Sequence, residues 1–75
     1  MSAKRIIENL KKYVEGEAKM FLNFGKTHGA KLDKLIDRCY GAVMYSSYLL
    51  SSDDCEVVCE WWDNEMLPKL RKLGA

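Results

Sequence analysis

The sequence predicts an all-α fold, an up-down-up bundle of three helices of similar length. Apolar residues recur at three- and four-residue steps along each segment, the breaks between segments are short, and no stretch alternates with the period of a β-strand. We expect helices over about residues 3–23, 29–50 and 53–72, with a kink or stop near 65–68. A helical hairpin that completes its core by dimerisation is the alternative fold.

The first helix is predicted from an apolar stripe and from residues suited to its start and its end. Ser2 is the expected N-cap, because its hydroxyl can accept a hydrogen bond from the first helical turn. Gly25 is the expected C-cap, and Thr27 is the expected N-cap of the second helix. Gly16 lies inside the first helix, at a cost of about 1 kcal/mol relative to alanine. The stripe expected to be buried consists of Ala3, Ile7, Leu10, Val14, Ala18 and Phe21.

The second helix is the element around which the chain is organised. Its first half is amphipathic, but past Gly41 the side opposite the core stripe carries no charge. A helix that is apolar all round needs cover on more than one side, so this second half is the surface on which function should depend. The core stripe is formed by Leu32, Leu35, Ile36, Cys39, Val43, Ser46 and Leu50.

The third helix follows the short connection Ser51–Asp54, which makes the second and third helices antiparallel neighbours. Ser52 or Asp53 is the expected N-cap. Pro68 has no N–H to donate, so a kink or stop is expected near Glu65–Leu67. The predicted core stripe consists of Cys55, Val58, Cys59, Trp62, Met66, Leu70 and Leu73.

Length and charge limit the classes of protein that this chain can represent. Its 75 residues correspond to one small domain, and no run is apolar enough to span a membrane. Three cysteines in a chain without a secretory signal favour reduced thiols in the cytoplasm. Residues 1–38 carry nine basic and five acidic residues, a charge of +4, whereas residues 39–68 carry six acidic residues and no base. These two blocks could attract one another within the bundle.

The residues that could carry enzymatic or metal chemistry do not form a convincing constellation. Cys39, Cys55 and Cys59 are expected to fill the core, because their spacing is not that of a zinc knuckle and His28 should lie at the other end of the bundle. No acid–base pair is predicted in a cleft. We therefore expect no enzymatic activity, no metal, no cofactor and no small-molecule substrate.

An aromatic patch beside an acidic stripe is the feature that predicts a function. Tyr, Trp and Met are enriched at binding hot spots, and acidic residues at the border suit a partner with a basic rim. We expect a protein–protein interaction module, a small regulatory, adaptor or inhibitor protein that binds another protein or itself. The first helix could instead cover the patch. The expected contacts are Met44, Tyr45, Tyr48, Leu49, Val57 and Trp61, with Glu56, Glu60 and Asp63 as the acidic stripe.

Nucleic-acid binding is the alternative function, and it would use a basic strip around the start of the second helix. Two observations weaken this interpretation: Asp33 and Asp37 lie beside the strip, and the third helix carries six acidic residues before its first cation. The strip consists of Lys26, Lys31, Lys34 and Arg38.

Overall fold

The computed structural model describes residues 2–74 and confirms the all-α class, because these residues contain helices and no strand. Four α-helices are present in this range: α1 (Ala3–Met20), α2 (Leu32–Tyr48), α3 (Ser52–Trp61) and α4 (Leu67–Lys72). Within the described residues, no helix combines the length and the apolar character needed to cross a membrane.

The two ends of α1 illustrate one correct and one incorrect sequence prediction. Ser2 is the N-cap, and its Oγ accepts a hydrogen bond from the backbone N–H of Arg5 at 3.3 Å. Past Met20 the helix continues through a π-helical turn, Phe21–Gly25, and a 3₁₀ turn, Lys26–His28. It ends at Gly29, which has φ of 79°, rather than at Gly25. This left-handed conformation favours glycine because it has no Cβ.

The start of α2 also differs from the prediction. Thr27 does not cap the helix; its Oγ1 donates to the carbonyl oxygen of Phe24 at 2.9 Å, within the preceding turn. Lys31 occupies the N-cap position in an extended conformation, and among the described residues no side chain caps this helix. The fully buried positions of α2 all belong to the predicted stripe: Leu35, Cys39, Val43 and Ser46.

The start of α3 is capped by Ser51, and the predicted caps, Ser52 and Asp53, are wrong. Ser51 Oγ accepts from the backbone N–H of Asp54 at 3.3 Å and donates to Asp54 Oδ2 at 3.0 Å. The chain therefore leaves α2 and enters α3 within three residues, and the two helices pack against each other.

Two contacts fix how α2 and α3 align. Cys55 Sγ donates to the carbonyl oxygen of Ser47 at 3.0 Å, and the rings of Tyr40 and Trp62 have centroids 6.2 Å apart. Tyr40 and Ser47 are seven positions apart in α2, and their partners Trp62 and Cys55 are also seven positions apart. The earlier residue of the first pair contacts the later residue of the second. The helices are therefore antiparallel, and Met44 lies at about the same height as Val58.

The helix that begins at Ser52 changes its hydrogen bonding at a π-helical turn, Trp62–Met66, before α4 begins. In this turn the N–H of Leu67 donates to the carbonyl oxygen of Trp62, five residues earlier. Pro68 follows as the second residue of α4, where a missing N–H is tolerated. The sequence predicted a kink or stop in this region.

One hydrophobic core joins α1, α2, α3 and α4. Two positions of α3 differ from the prediction: Trp61 belongs to the core, and Cys59 is exposed. The core consists of Leu10, Val14, Phe21, Leu35, Cys39, Val43, Val58, Trp61, Trp62, Met66 and Leu70.

Candidate interaction surface

The outward side of α2 is uncharged and apolar over its second half. We call this surface the α2 outer face; its residues are Tyr40, Gly41, Met44, Tyr45, Tyr48 and Leu49, and all of them are exposed. The exposed fraction of their large side chains runs from 46% at Met44 to 86% at Tyr48. No charged residue occurs between Arg38 and Asp53. An uninterrupted apolar face of this kind is uncommon on the outside of a small monomer.

The α2 outer face continues to α1 on one side. Tyr45 and Leu49 line a groove of about 340 Å³ whose other wall is α1. Tyr13 of α1 extends this wall and is 43% exposed. The groove is lined by Ile6, Asn9, Leu10, Tyr13, Ala42, Tyr45, Ser46 and Leu49.

On its other side the α2 outer face reaches α3. Tyr40 packs against Trp62 there, yet its side chain is 51% exposed. Met44 and Tyr48 follow Tyr40 at steps of four residues and line a shallow hollow with Ser47. Exposed apolar side chains therefore cover the outer half of the circumference of α2, from the α1 groove to the α3 contact.

Trp61, predicted to be an interface contact, is buried, and the prediction is wrong at this position. The prediction assumed one buried stripe on α3, centred between Val58 and Trp62. The buried arc is wider, because α2 contacts the edge formed by Cys55 and Trp62 while α1 covers the opposite edge. Lys11 of α1 places its Nζ 5.6 Å from the centre of the Trp61 ring. The outward shift of Cys59 has the same cause.

Val57 is exposed but does not join the α2 outer face. At about 100° per residue it lies about 160° around α3 from Cys55, which contacts α2. It is one turn before Trp61 and therefore lies on the side of α3 that α1 approaches. The predicted patch is thus divided: Met44, Tyr45, Tyr48 and Leu49 form one surface, and Val57 belongs to another.

The acidic stripe on α3 and the following turn consists of Glu56, Glu60 and Asp63, and all three residues are exposed. Glu56 follows the cysteine that bonds to Ser47, and Asp63 follows the tryptophan that packs on Tyr40. At about 100° per residue, Glu56 lies about 100° and Glu60 about 140° around the helix from Cys55, so the stripe is on the outward side of α3.

The basic strip is exposed at Lys26, Lys31, Lys34 and Arg38, but one of its charges is paired. Arg38 Nη2 donates to Glu17 Oε2 at 2.9 Å, which links α2 to α1. This hydrogen bond raises the pKa of the Arg38 guanidinium. The ion pair offsets the arginine's attraction for an anion, so three lysines carry the unpaired charge of the strip.

The three cysteines differ in exposure: Cys39 is buried, Cys55 is half-buried and Cys59 is exposed. Cys39 is fully buried, and burial raises the pKa of its thiol to about 11, so the thiol stays protonated at neutral pH. The Nδ1 of His28 lies 2.7 Å from the carbonyl oxygen of Phe24. Within residues 2–74, no three His, Cys, Asp or Glu side chains are grouped so that they could hold a metal ion.

Sequence reasoning missed Tyr40 and Tyr13 as members of the candidate surface. Tyr40 could have been found from its spacing, because Tyr40, Met44 and Tyr48 recur every four residues and so share one side of a helix. Tyr13 gives no comparable signal in the sequence, because its place in the groove depends on where α2 lies against α1. Only the packed structure determines that position.

No protein-family model, curated protein or solved structure matches this chain. Its function is therefore inferred from the surface described above.

Proposed function

We propose that this chain is a non-enzymatic protein–protein interaction module, a small regulatory, adaptor or inhibitor protein, which binds through the α2 outer face. The observation that carries the proposal is the combination of exposure and neutrality: three tyrosines, a methionine and a leucine are exposed, with no charge between Arg38 and Asp53. Tyrosine and methionine are enriched at protein interfaces, whose buried centres are depleted of charge.

The needs of the fold do not account for this surface. A helix that only supports a core carries polar residues on its outward side. The first half of α2 follows this rule with Asp33, Lys34 and Asp37, and the second half does not. A partner that covers the second half would remove water from apolar side chains that the core leaves exposed.

The acidic stripe suits a partner whose contact surface has an apolar centre and a basic rim. Glu56, Glu60 and Asp63 are exposed on the helix next to this face, and opposite charges at the rim of an interface mainly affect association rate and selectivity. We therefore assign the affinity to the α2 outer face and the selectivity to the stripe.

Nucleic-acid binding through the basic strip stays the alternative. Lys26, Lys31 and Lys34 are exposed and would support it, whereas the ion pair of Arg38 with Glu17 counts against it. Binding to phosphates must weaken steeply with salt, because it releases condensed counterions. A gel shift with random-sequence RNA or DNA at two salt concentrations would detect such binding.

We further propose that the whole chain is one domain, that its helices form the up-down-up bundle, and that it acts in the cytoplasm. The shared core of α1, α2, α3 and α4 supports the first two proposals. The free thiols of Cys39, Cys55 and Cys59 are consistent with a reducing compartment.

Site-specific photo-cross-linking tests the main proposal. Benzoylphenylalanine would replace Tyr48 in one variant and Lys12, an exposed residue on the outer side of α1, in a control. After irradiation in the producing cells, we expect protein adducts at position 48 and none at position 12. If position 48 gave no protein adduct, the proposed function would be wrong. A nuclease-sensitive adduct would favour the alternative.

A further inference from the structure

Gly41 lies in the α2 outer face, and its presence has no explanation within this chain. It is inside a helix, where glycine is less favourable than alanine. A Cβ built on Gly41 would meet no atom of the described residues within 4 Å. No turn, close approach or unusual backbone angle requires a glycine there. The space that glycine leaves is open to the outside.

Gly16 of α1 provides an internal comparison. It is also inside a helix, exposed, and free of neighbours within 4 Å among the described residues. Lys12 and Lys19 lie one turn before and after it, and the exposed Tyr13 and Met20 flank it on the other side, so charged and apolar side chains both surround it. Gly41 instead begins the uncharged apolar run that ends at Leu49. Of these two glycines, only Gly41 exposes helix backbone within an uncharged apolar face to which a protein could dock.

We infer that the α2 outer face binds a second copy of this chain, and that the two α2 helices cross antiparallel about a two-fold axis between Met44 and Tyr45. Tyr48 of each copy then packs on the backbone of the other copy at Gly41. The inference rests on the proposed function of this face, and it names the partner of the face. In this pairing α3 of one copy lies on the same side as α3 of the other, so the partner with a basic rim proposed for the acidic stripe is a further protein.

The spacing between Gly41 and Tyr48 determines the register of this crossing. Gly41 and Tyr48 are seven residues apart, or about two helical turns, so they lie on the same side of α2. A two-fold axis midway between them places Gly41 of one copy opposite Tyr48 of the other, and makes this contact twice. Tyr48 has the most exposed large apolar side chain, at 86%, and glycine offers the closest approach to a helix backbone.

Neutrality and area favour a second copy as the occupant. A two-fold interface brings identical patches together, so any charge near its centre would face its own kind. The α2 outer face has no charge. Its exposed side chains amount to about 600 Å² per copy, taking about 150–250 Å² for a whole tyrosine. Two copies would bury at most about 1,200 Å² through this face, the lower limit of a specific interface, which corresponds to a dimer of modest affinity.

Sedimentation equilibrium of the wild type and of two matched variants, Gly41→Ala and Gly16→Ala, tests the inference. We expect the wild type to dimerise. The methyl groups of Gly41→Ala would separate the helices at both symmetry-related contacts, so its dimer dissociation constant should rise at least about tenfold. The dissociation constant of Gly16→Ala should stay within about twofold of the wild type.

Thermal unfolding of the same variants controls for damage to the fold. Measured well below the dissociation constant, both variants should melt at a higher temperature than the wild type, because alanine replaces glycine in an open helical position. Weaker dimerisation by a better-folded Gly41→Ala variant can then only reflect lost contact between copies.

Three results would overturn the inference, and they separate it from the proposed function. A wild type that stays monomeric at about 1 mM would exclude the second copy. If position 48 then cross-linked a different protein, the proposed function would stand without this inference. A dimer that Gly41→Ala leaves unchanged would exclude the crossing at Gly41. No protein adduct at position 48 together with a monomeric wild type would remove both.

Discussion

Helices α1 and α2 are alike in length and differ in what they present to the outside. They contain 18 and 17 residues, each buries one stripe in the common core, and each has a glycine in an open helical position. The outward side of α1 carries lysines and glutamates along its whole length, at steps of four. The outward side of α2 carries charges only as far as Arg38 and is aromatic beyond Gly41.

This difference separates residues that serve the fold from residues that need another explanation. Apart from the exposed Tyr13 and Met20, α1 fits an amphipathic helix covering a core, with opposite charges on its outer side. The second half of α2 combines such a core stripe with a second apolar surface that nothing in the described chain covers completely. Substitutions in the core stripe of α2 should therefore change the free energy of unfolding, and substitutions in the α2 outer face should change association.

The largest expected effect is on the core side of α2. Leu35 is 1% exposed, so Leu35→Ala should lower the free energy of unfolding by about 2–5 kcal/mol through lost burial and a cavity. Met44→Ala, on the outer face of the same helix, should cost less than about 1 kcal/mol, because its side chain is 46% exposed. Urea denaturation at low protein concentration would measure both. Equal losses would show that the two sides of α2 are not distinct.

The next effect depends on Cys39, a titratable group within the core stripe of α2. Burial raises the pKa of its thiol from 9.0 to about 11, so the unfolded chain loses this proton at lower pH than the folded chain. The contribution of the protonated thiol to the free energy of unfolding is therefore complete below pH 9. It is lost as the pH rises toward 11, by about 2–3 kcal/mol in total.

Urea denaturation from pH 8 to pH 11 would measure this loss. Tyrosines and lysines also titrate in that range, so Cys39→Val serves as the control because valine has a similar volume and no ionisable group. We expect the free energy of unfolding of Cys39→Val to fall less steeply with pH. Parallel pH curves for the two proteins would contradict the assignment to Cys39.

The smallest effect concerns how the two helices begin. Ser2 caps α1 with its side chain, so Ser2→Ala should cost about 1 kcal/mol of the free energy of unfolding. Lys31 occupies the corresponding position of α2 without such a bond among the described residues. Lys31→Asp should therefore stabilise the protein by about 0.5–1 kcal/mol, by accepting a hydrogen bond and by favourable interaction with the helix dipole.

Lys31→Ala is the matched control, because it removes the lysine without adding a cap. Thermal melting would rank the variants. If Lys31→Asp and Lys31→Ala were equally stable, the start of α2 would not be limited by its missing cap.

The sequence predicted the helical class and most of the buried stripes, since a repeat of 3.6 residues reports directly which side of a helix is apolar. It placed Trp61 and Cys59 wrongly, because burial on α3 depends on two neighbouring helices rather than on one stripe. Local competition explains the errors at helix ends. Thr27 could cap a helix, but its hydroxyl bonds within the preceding turn. At the start of α3 the neighbouring Ser51 is the cap in place of Ser52 or Asp53.

The candidate surface was partly predictable for a similar reason. The loss of charge past Gly41 is visible in the sequence, and it identified Met44, Tyr45, Tyr48 and Leu49, which are exposed. The separation of Val57 from them depends on the angular position of α3 against its neighbours. No periodicity along one helix contains that information.

The π-helical turn at Trp62–Met66 keeps α4 in register with the core. A bond that spans five residues holds one residue more than an α-helical turn, so the turn accommodates a single extra residue. Losing one residue there, such as the exposed Asn64, would restore a regular α-helix and leave the side chains after it facing as before. If all the residues stayed and the turn wound as a regular α-helix, everything after it would rotate by about 100°, and Leu70 would leave the core. The side of α4 that faces the core is therefore determined by how the helix accommodates one exposed residue that is not part of the core.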